Sequence, residues 1–329
     1  MKIICLTPVK NEAWILRRFL ECASLWADYI IVADQGSTDG SVEIAKSYEK
    51  VILVKNNNPE FNEEERQKLL IDESRKIDGK KLLISLDADE FLTANFTCSV
   101  EWETLKAAKP GTVIKFKLIN LLPNMEKAWI PDVYFPWGII DDGVAEHRGT
   151  YIHSTRIPLP KAYPTILLNE IKVLHYQYTD WQRMESKHRW YECLEVLKNN
   201  KKHYIDIYRQ YHHMYKAKYR DTVDVDVNWF SYYQSRGIDM TSVSVDAFYY
   251  WDKTVIGFLY QHSPKVFRKI DIWRVDWNQK AKQLGLDFSL EKDPRTFKDK
   301  VMYQYLRVTM PYYNKFIKLV DLILKALRL

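Results

Sequence analysis

Asp87, Asp89 and Glu90 stand together in LLISLDADEFL, directly after Leu82, Leu83, Ile84, Ser85 and Leu86, a run apolar enough for a strand buried on both faces. Carboxylates two residues apart at a strand end can turn their oxygens toward one hard divalent cation, which in turn bridges phosphate oxygens and keeps some of its waters. A solvated acidic turn explains an isolated DxD just as readily, because turns accept Asp freely. What weighs against that plainer explanation is the rest of the N-terminal hundred residues.

The elements that would position those acids alternate. KIICLTPV (residues 2–9) reads as a buried strand, Asn11 as the cap of a helix over 12–25, and 29–33 as a second strand ending at Asp34. The turn QGSTDG leads to a helix reaching about residue 48; 51–55 is a third strand, 62–77 a charged helix, and LLISL the fourth strand. Strand and helix alternating in this way make βαβ units, whose right-handed crossovers force a mostly parallel sheet with helices on both faces. Ligands lie at the carboxyl ends of such strands. Thr7, Asp34 and Asp87 each close a different strand and so converge on one crevice.

Beyond Leu92 the period changes. Ile114, Phe116 and Leu118 alternate with Lys115 and Lys117 as in a half-exposed strand, and a long irregular stretch rich in proline and aromatic residues is expected over 121–164. Its acidic centre is WGIIDDGVAEHRG (137–149). A short strand over 171–174 ends at His175, and a helix follows from Asp180. These features divide the chain into an α/β catalytic part, 1–180, and a mainly helical part, 181–329. Adjacent His212 and His213 cannot share a helix face, and both read as surface residues. No chemistry can be isolated over 203–287.

Composition limits the classes open to the chain. With 329 residues, 47% hydrophobic and 14% aromatic, it is a folded protein rather than a disordered one. Lys and Arg (49) exceed Asp and Glu (43) modestly, which suits an anionic ligand or membrane surface and makes no argument for nucleic acid. The four cysteines are widely spaced without a CxxC, so neither a zinc site nor a disulfide framework is expected. The apolar run at the N-terminus is too short for a signal peptide, and a cytoplasmic location is the expectation. GxGxxG after the first strand and GxxxxGK[ST] are both absent, which disfavours a dinucleotide-binding site and a P-loop. A dehalogenase-like phosphatase would carry its acids on the first strand, not the fourth.

TPVKNEAWILRRFL, VADQGSTDGSVEIA and LLISLDADEFL, in that order and spacing, resemble a family 2 glycosyltransferase of the GT-A fold, in particular the bacterial branch whose motif reads LDADE. The resemblance is strong over about the first 95 residues and weak up to His175. It implies a nucleotide-sugar donor, with a UDP-sugar first among them, a divalent metal (Mn²⁺ or Mg²⁺) and inversion at the anomeric carbon. It places Thr7, Pro8 and Glu12 in the nucleotide pocket and Asp34 on the base or ribose, with Gln35 where many members have a second acid. Arg66 becomes a diphosphate or base contact. Asp87 and Ala88 would lie against ribose or metal, and Asp89 would bind the metal.

Transfer chemistry assigns work to further residues. A diphosphate leaving group must be neutralised as its charge grows, by a cation held by Asp89 and His175, the latter weighed against a structural histidine. Lys187 and Arg189 complete the diphosphate site or form a solvated helix face. A carboxylate must also take the acceptor hydroxyl's proton, and the candidates are Glu146, then Asp142 and Asp141. The resulting function is transfer of a sugar to a cell-surface glycan, lipopolysaccharide or lipid-linked acceptor. A nucleotide-sugar-binding module without turnover and a metal-dependent nucleotidyltransferase or phosphohydrolase stay open as alternatives. Finally, Lys318, Asp321, Lys325 and Arg328 form one polar stripe on an otherwise apolar helix over 312–329, to be buried in a membrane interface, on the protein or in a homodimer.

Overall fold

The computed structural model describes residues 1–160, 162–199, 201–217, 222–246 and 248–327. The first half opens with β1 (Lys2–Val9), α1 (Ala13–Ala23), β2 (Tyr29–Asp34), α2 (Ser41–Lys46), β3 (Val51–Lys55), α3 (Glu63–Arg75) and β4 (Lys81–Ser85). These four strands are parallel in the order β3-β2-β1-β4, with Val9 opposite Asp34 and Leu6 opposite Ser85. Ile4, Leu6, Ile30, Ile31, Leu83 and Ile84 are completely buried, as expected for strands covered on both faces. α1 turns Ile15, Leu16, Phe19 and Leu20 into the core. Asn11 does not cap it: its backbone is left-handed (φ 56°), its side-chain oxygen accepts from the Thr38 amide, and Glu12 precedes the helix. Asn62 does cap α3, accepting from the Glu65 amide.

There follow β5 (Glu90–Leu92), α4 (Val100–Ala107), β6 (Val113–Leu121), β7 (Lys127–Trp129), β8 (Tyr134–Ile140), β9 (Thr165–Leu167) and β10 (Val173–His175). β8 corrects the expectation of an irregular 121–164, because it runs antiparallel between β4 and β6 in the middle of the sheet. Pro136 and its neighbours hid it; the pairing of β6 with β8 shifts register between Ile114 and Lys115, opposite this proline, as a residue without an N–H requires. β10 lies parallel to β6 and antiparallel to β5, which sets His175 opposite both Asn120 and Glu90.

The chain continues through α5 (Trp181–Lys198), α6 (Tyr204–Tyr211), α7 (Met214–Ala217), β11 (Thr222–Asp224), α8 (Ser231–Ser235), α9 (Tyr250–Gln261), α10 (Trp277–Gln283), α11 (Phe297–Thr309) and α12 (Lys315–Ala326). It divides into two compact units, one of residues Met1–Asp180 with Val223–Ser244, the other of Trp181–Thr222 with Val245–Leu329. The excursion 223–244 is bound to the first unit by Tyr233, whose hydroxyl donates to the Leu92 carbonyl, and by Tyr176, whose hydroxyl donates to that of Met240.

Polar groups are buried throughout the helical unit. His212, expected at the surface, is buried: its Nε2 lies 2.8 Å from an Asp271 carboxylate oxygen, its Nδ1 3.0 Å from the Tyr208 carbonyl, and its ring stacks on that of Tyr208. Both ring nitrogens are thereby satisfied without water. α12 is held by its polar side. Asp321 is buried against Arg209 (2.9 and 3.0 Å) and the Tyr305 hydroxyl (2.8 Å), and Lys325 meets Asp206 at 2.7 Å. Arg328 and Leu329, also counted in the polar and apolar stripes, lie outside the described residues. Among the described residues no helix is long and apolar enough to cross a membrane.

Candidate functional site

The carboxyl ends of β1, β2 and β4 adjoin, as their registers require, and bring Thr7, Asp34 and the DADE turn to one edge of the sheet. Thr7 is fully buried, with a hydroxyl that no described residue bonds. The Asp34 carboxylate accepts from the amides of Gly36 and Ser37, which fixes the turn into α2. Gln35 donates to the carbonyls of Asn58 and Glu60, tying this turn to the approach to α3. Pro8 sits opposite Ala33 in the ladder, and Glu12 accepts from the Trp14 indole. Lys10, which no motif singled out, adds a cation here: burial lowers the pKa of its ammonium, and the charge of Asp34 opposes that shift. Arg66, on the first turn of α3, lies 4.9 Å over the Phe61 ring and 3.7 Å from Glu63.

At the DADE turn the three acids separate into two settings. Arg156, from the proline-rich stretch, grips both carboxylate oxygens of Glu90 and one of Asp87 (2.9 Å), and its guanidinium lies 4.6 Å from the centre of the Trp137 ring. Burial pushes the Glu90 carboxyl up to about 7 while Arg156 pulls it down, and the Asp87 amide donates to the same carboxylate. Sequence reading missed Arg156 because nothing about its position in the chain marks it as the partner of a turn 66 residues earlier. The clamp places a guanidinium on one oxygen, Oδ2, of Asp87, the residue expected at ribose or metal.

Asp89 points elsewhere. Its Oδ2 lies 3.8 Å from His175 Nε2, and both side chains are about nine-tenths buried. His175 Nδ1 is 2.9 Å from Asn120 Oδ1; with that oxygen as acceptor, Nδ1 carries the proton and Nε2 turns its lone pair toward Asp89. A carboxylate and an imidazole nitrogen at this spacing fit a divalent cation that draws its other ligands from water and phosphate. Among the described residues no group of three or more His, Cys, Asp or Glu is gathered as a metal cage. Ala88, between the two acids, is buried.

The acids of 137–149 are not brought to this edge. Asp141 follows β8, and its amide donates to the Lys81 carbonyl at the start of β4, about 20 Å along the strand direction from Asp87. There it pairs with Arg75 at the far end of α3 (2.9 and 3.2 Å). Asp142 accepts from the amides of Val144 and Ala145, so it closes a turn. Arg75 also donates to the Ala145 carbonyl, which holds neighbouring Glu146 near that same end, with its carboxylate exposed and 3.5 Å from Arg148. Antiparallel pairing of β8 with β4 is the physical reason: the segment leaves the sheet at the end opposite the DADE turn. The loop then climbs beside α3, where Glu64 meets the Gly149 amide and Glu63 that of Ser154, before it delivers Arg156. Lys187 and Arg189 belong to the helical unit; Arg189 is half of a buried pair with Asp252 (2.9 Å), and Lys187 lies over the Trp251 ring.

Residues 4–100 match the family described as Glycosyl transferase family 2. Over that stretch the chain is similar to the family 2 glycosyltransferases. The α/β unit, a mostly parallel sheet flanked by helices, has the architecture of the GT-A fold, and the helical region follows it. No curated protein sequence matches the chain. Solved structures with some likeness include TarS from S. aureus (12% identity, TM-score 0.37, covering 82% of this chain and 50% of that one) and its 1–349 portion (12%, 0.37, 87% and 79%). The inositol-1-phosphate CTP transferase from T. maritima is another (7%, 0.33, 54% and 89%). The chain spans about half the length of the full TarS chain.

Proposed function

We propose that this enzyme transfers a sugar, with inversion, from a nucleoside-diphosphate sugar to a hydroxyl of a glycan or lipid-linked acceptor, with a divalent cation at Asp89 and His175. The observation that carries the proposal is the 3.8 Å approach of Asp89 to His175 at the strand edge that also holds Thr7, Asp34 and Lys10. A cation bound there would offset the charge that grows on the diphosphate as the glycosidic bond breaks. Asn120 orients the imidazole, and the Arg156 clamp engages Asp87 and Glu90 while Asp89 approaches His175. Thr7 offers a buried hydroxyl to the nucleoside, and Lys10 and Arg66 supply positive charge beside it. Uridine is the first base to test.

The acid that takes the acceptor proton belongs, in this reading, to the same edge. Asp34 is spent on its own turn, Asp87 and Glu90 on Arg156, and Asp89 on His175. Asp180 directly follows the tight turn after His175, which Thr179 closes by bonding back to the Tyr176 carbonyl, and we assign it the proton. The test is incubation with a panel of nucleotide sugars, Mn²⁺ and acceptor extracts. Metal-dependent release of nucleoside diphosphate is expected. Release of nucleoside monophosphate, or binding without turnover, would replace the proposal by a phosphohydrolase or a binding module.

A further inference from the structure

α12 is amphipathic, yet its apolar side is the one left in solvent. Phe316, Leu319, Leu322, Ile323 and Leu327 are each at least half exposed, whereas Asp321, on the opposite side, is 2% exposed. The orientation is enforced, because rolling the helix to bury its apolar side would carry Asp321 away from Arg209 and Tyr305 and Lys325 away from Asp206. An exposed contiguous apolar stripe calls for something to cover it.

Charge identifies the cover. At 100° per residue Leu319 and Ile323 form the middle of the exposed side, Phe316 and Leu327 one margin, and Leu322 with Lys315 and Lys318 the other; both lysines are exposed. Asp321, the one acid among residues 315–327, is turned inward, so the exposed side holds apolar groups and cations only. A second copy docked on the same stripe would meet like charge and bring no acid from this helix to offset it. We infer that α12 lies in the interface of an anionic lipid bilayer, with Leu319, Ile323 and Phe316 among the upper acyl chains and Lys315 and Lys318 at the headgroups. This rests on the geometry of α12 and not on the transfer reaction, although it would bring the enzyme to a surface where a lipid-linked acceptor is met.

The experiment is co-sedimentation of the full chain with vesicles of phosphatidylcholine, alone or mixed with phosphatidylglycerol. Binding to the anionic vesicles only, weakened by salt, is expected. Leu319→Glu with Ile323→Glu should reduce it at least tenfold, and each of Lys315→Gln and Lys318→Gln about fivefold. Circular dichroism and analytical ultracentrifugation of the same variants control for fold and association; should the double glutamate variant misfold, the lysine variants and the salt series carry the test. The inference is overturned by failure of the intact chain to sediment with anionic vesicles. It is equally overturned by binding that ignores all four substitutions, or by a dimer that the glutamates dissociate in place of vesicle binding.

Discussion

Two side chains carry the chemistry assigned to the site, and their roles can be separated. Asp89→Asn removes a full charge from the pair with His175 and should abolish metal-dependent binding of nucleoside diphosphate, read by calorimetry in Mn²⁺, while thermal unfolding is unchanged. Unaltered affinity would take Asp89 out of the site. The proton acceptor is tested by kinetics. Asp180→Asn should lower kcat by about 10²-fold or more, as loss of a general base does, with donor affinity kept. Glu146→Gln, on an exposed carboxylate near the far end of α3, should leave kcat within about twofold. The reverse outcome would show that the 141–156 loop reaches the acceptor in a conformation other than this one.

Among the elements, the four parallel strands were legible because each is an apolar run closed by a polar or turn residue, and periodicity reports such runs well. β8 was not, since Pro136 and its aromatic neighbours imitate a loop, and a bulge that accommodates a proline leaves no sequence period. The consequence reaches the candidate site. Once β8 is antiparallel to β4, Asp141 and Asp142 emerge at the end of the sheet opposite the DADE turn, which no local reading of WGIIDDGVAEHRG could disclose. Arg156 escaped for a related reason, because a long irregular segment delivers it and its partners are distant in sequence. It should be the most sensitive position of that segment. Arg156→Ala leaves Glu90, 2% exposed, without its counter-charge and should cost about 3–5 kcal/mol in urea denaturation at neutral pH. The pH dependence has a definite sign. Burial holds the Glu90 carboxyl above its ordinary value, so its ionised form penalises the folded state above the folded pKa, near 7 with Arg156 present and higher without it. The penalty is relieved as Glu90 takes up a proton toward pH 5. The deficit of Arg156→Ala should therefore shrink in acid; a deficit constant from pH 8 to pH 5 would mean that packing against Trp137, not charge, is what Arg156 supplies.

At the scale of the whole molecule, the helical unit shows how an internal ion pair can decide which side of a helix meets solvent. Composition told that α12 has an apolar side and left its cover undecided, because the partner that orients it, Arg209, is 112 residues away and the pairing has no local pattern. Arg209 is itself nearly enclosed, receiving Asp321 on two nitrogens and donating to the Leu306 carbonyl and the Thr309 hydroxyl, while Tyr305 and Tyr313 flank its guanidinium. Replacing Asp321 by Ala strands that cation in a site 93% shielded from water on its side chain, for which the expected loss is about 3–5 kcal/mol. Exchanging both partners for apolar residues of similar size, Arg209→Met with Asp321→Leu, removes the stranded charge and should recover most of that loss, since a buried pair offsets little more than its own desolvation. The helix that results would have no polar side to hold inward. Amide hydrogen exchange over 315–326 should then distinguish two outcomes. If the pair acts only in stability, the double variant regains native protection and still binds anionic vesicles. If the pair is what turns the apolar side outward, protection returns but vesicle binding is lost, because Leu319 and Ile323 have rolled into the protein. The second outcome is the one expected, because once the pair is gone the described contacts that still oppose the roll are Lys325 with Asp206 and the packing of half-buried Leu324 against Tyr208, Met302 and Leu306.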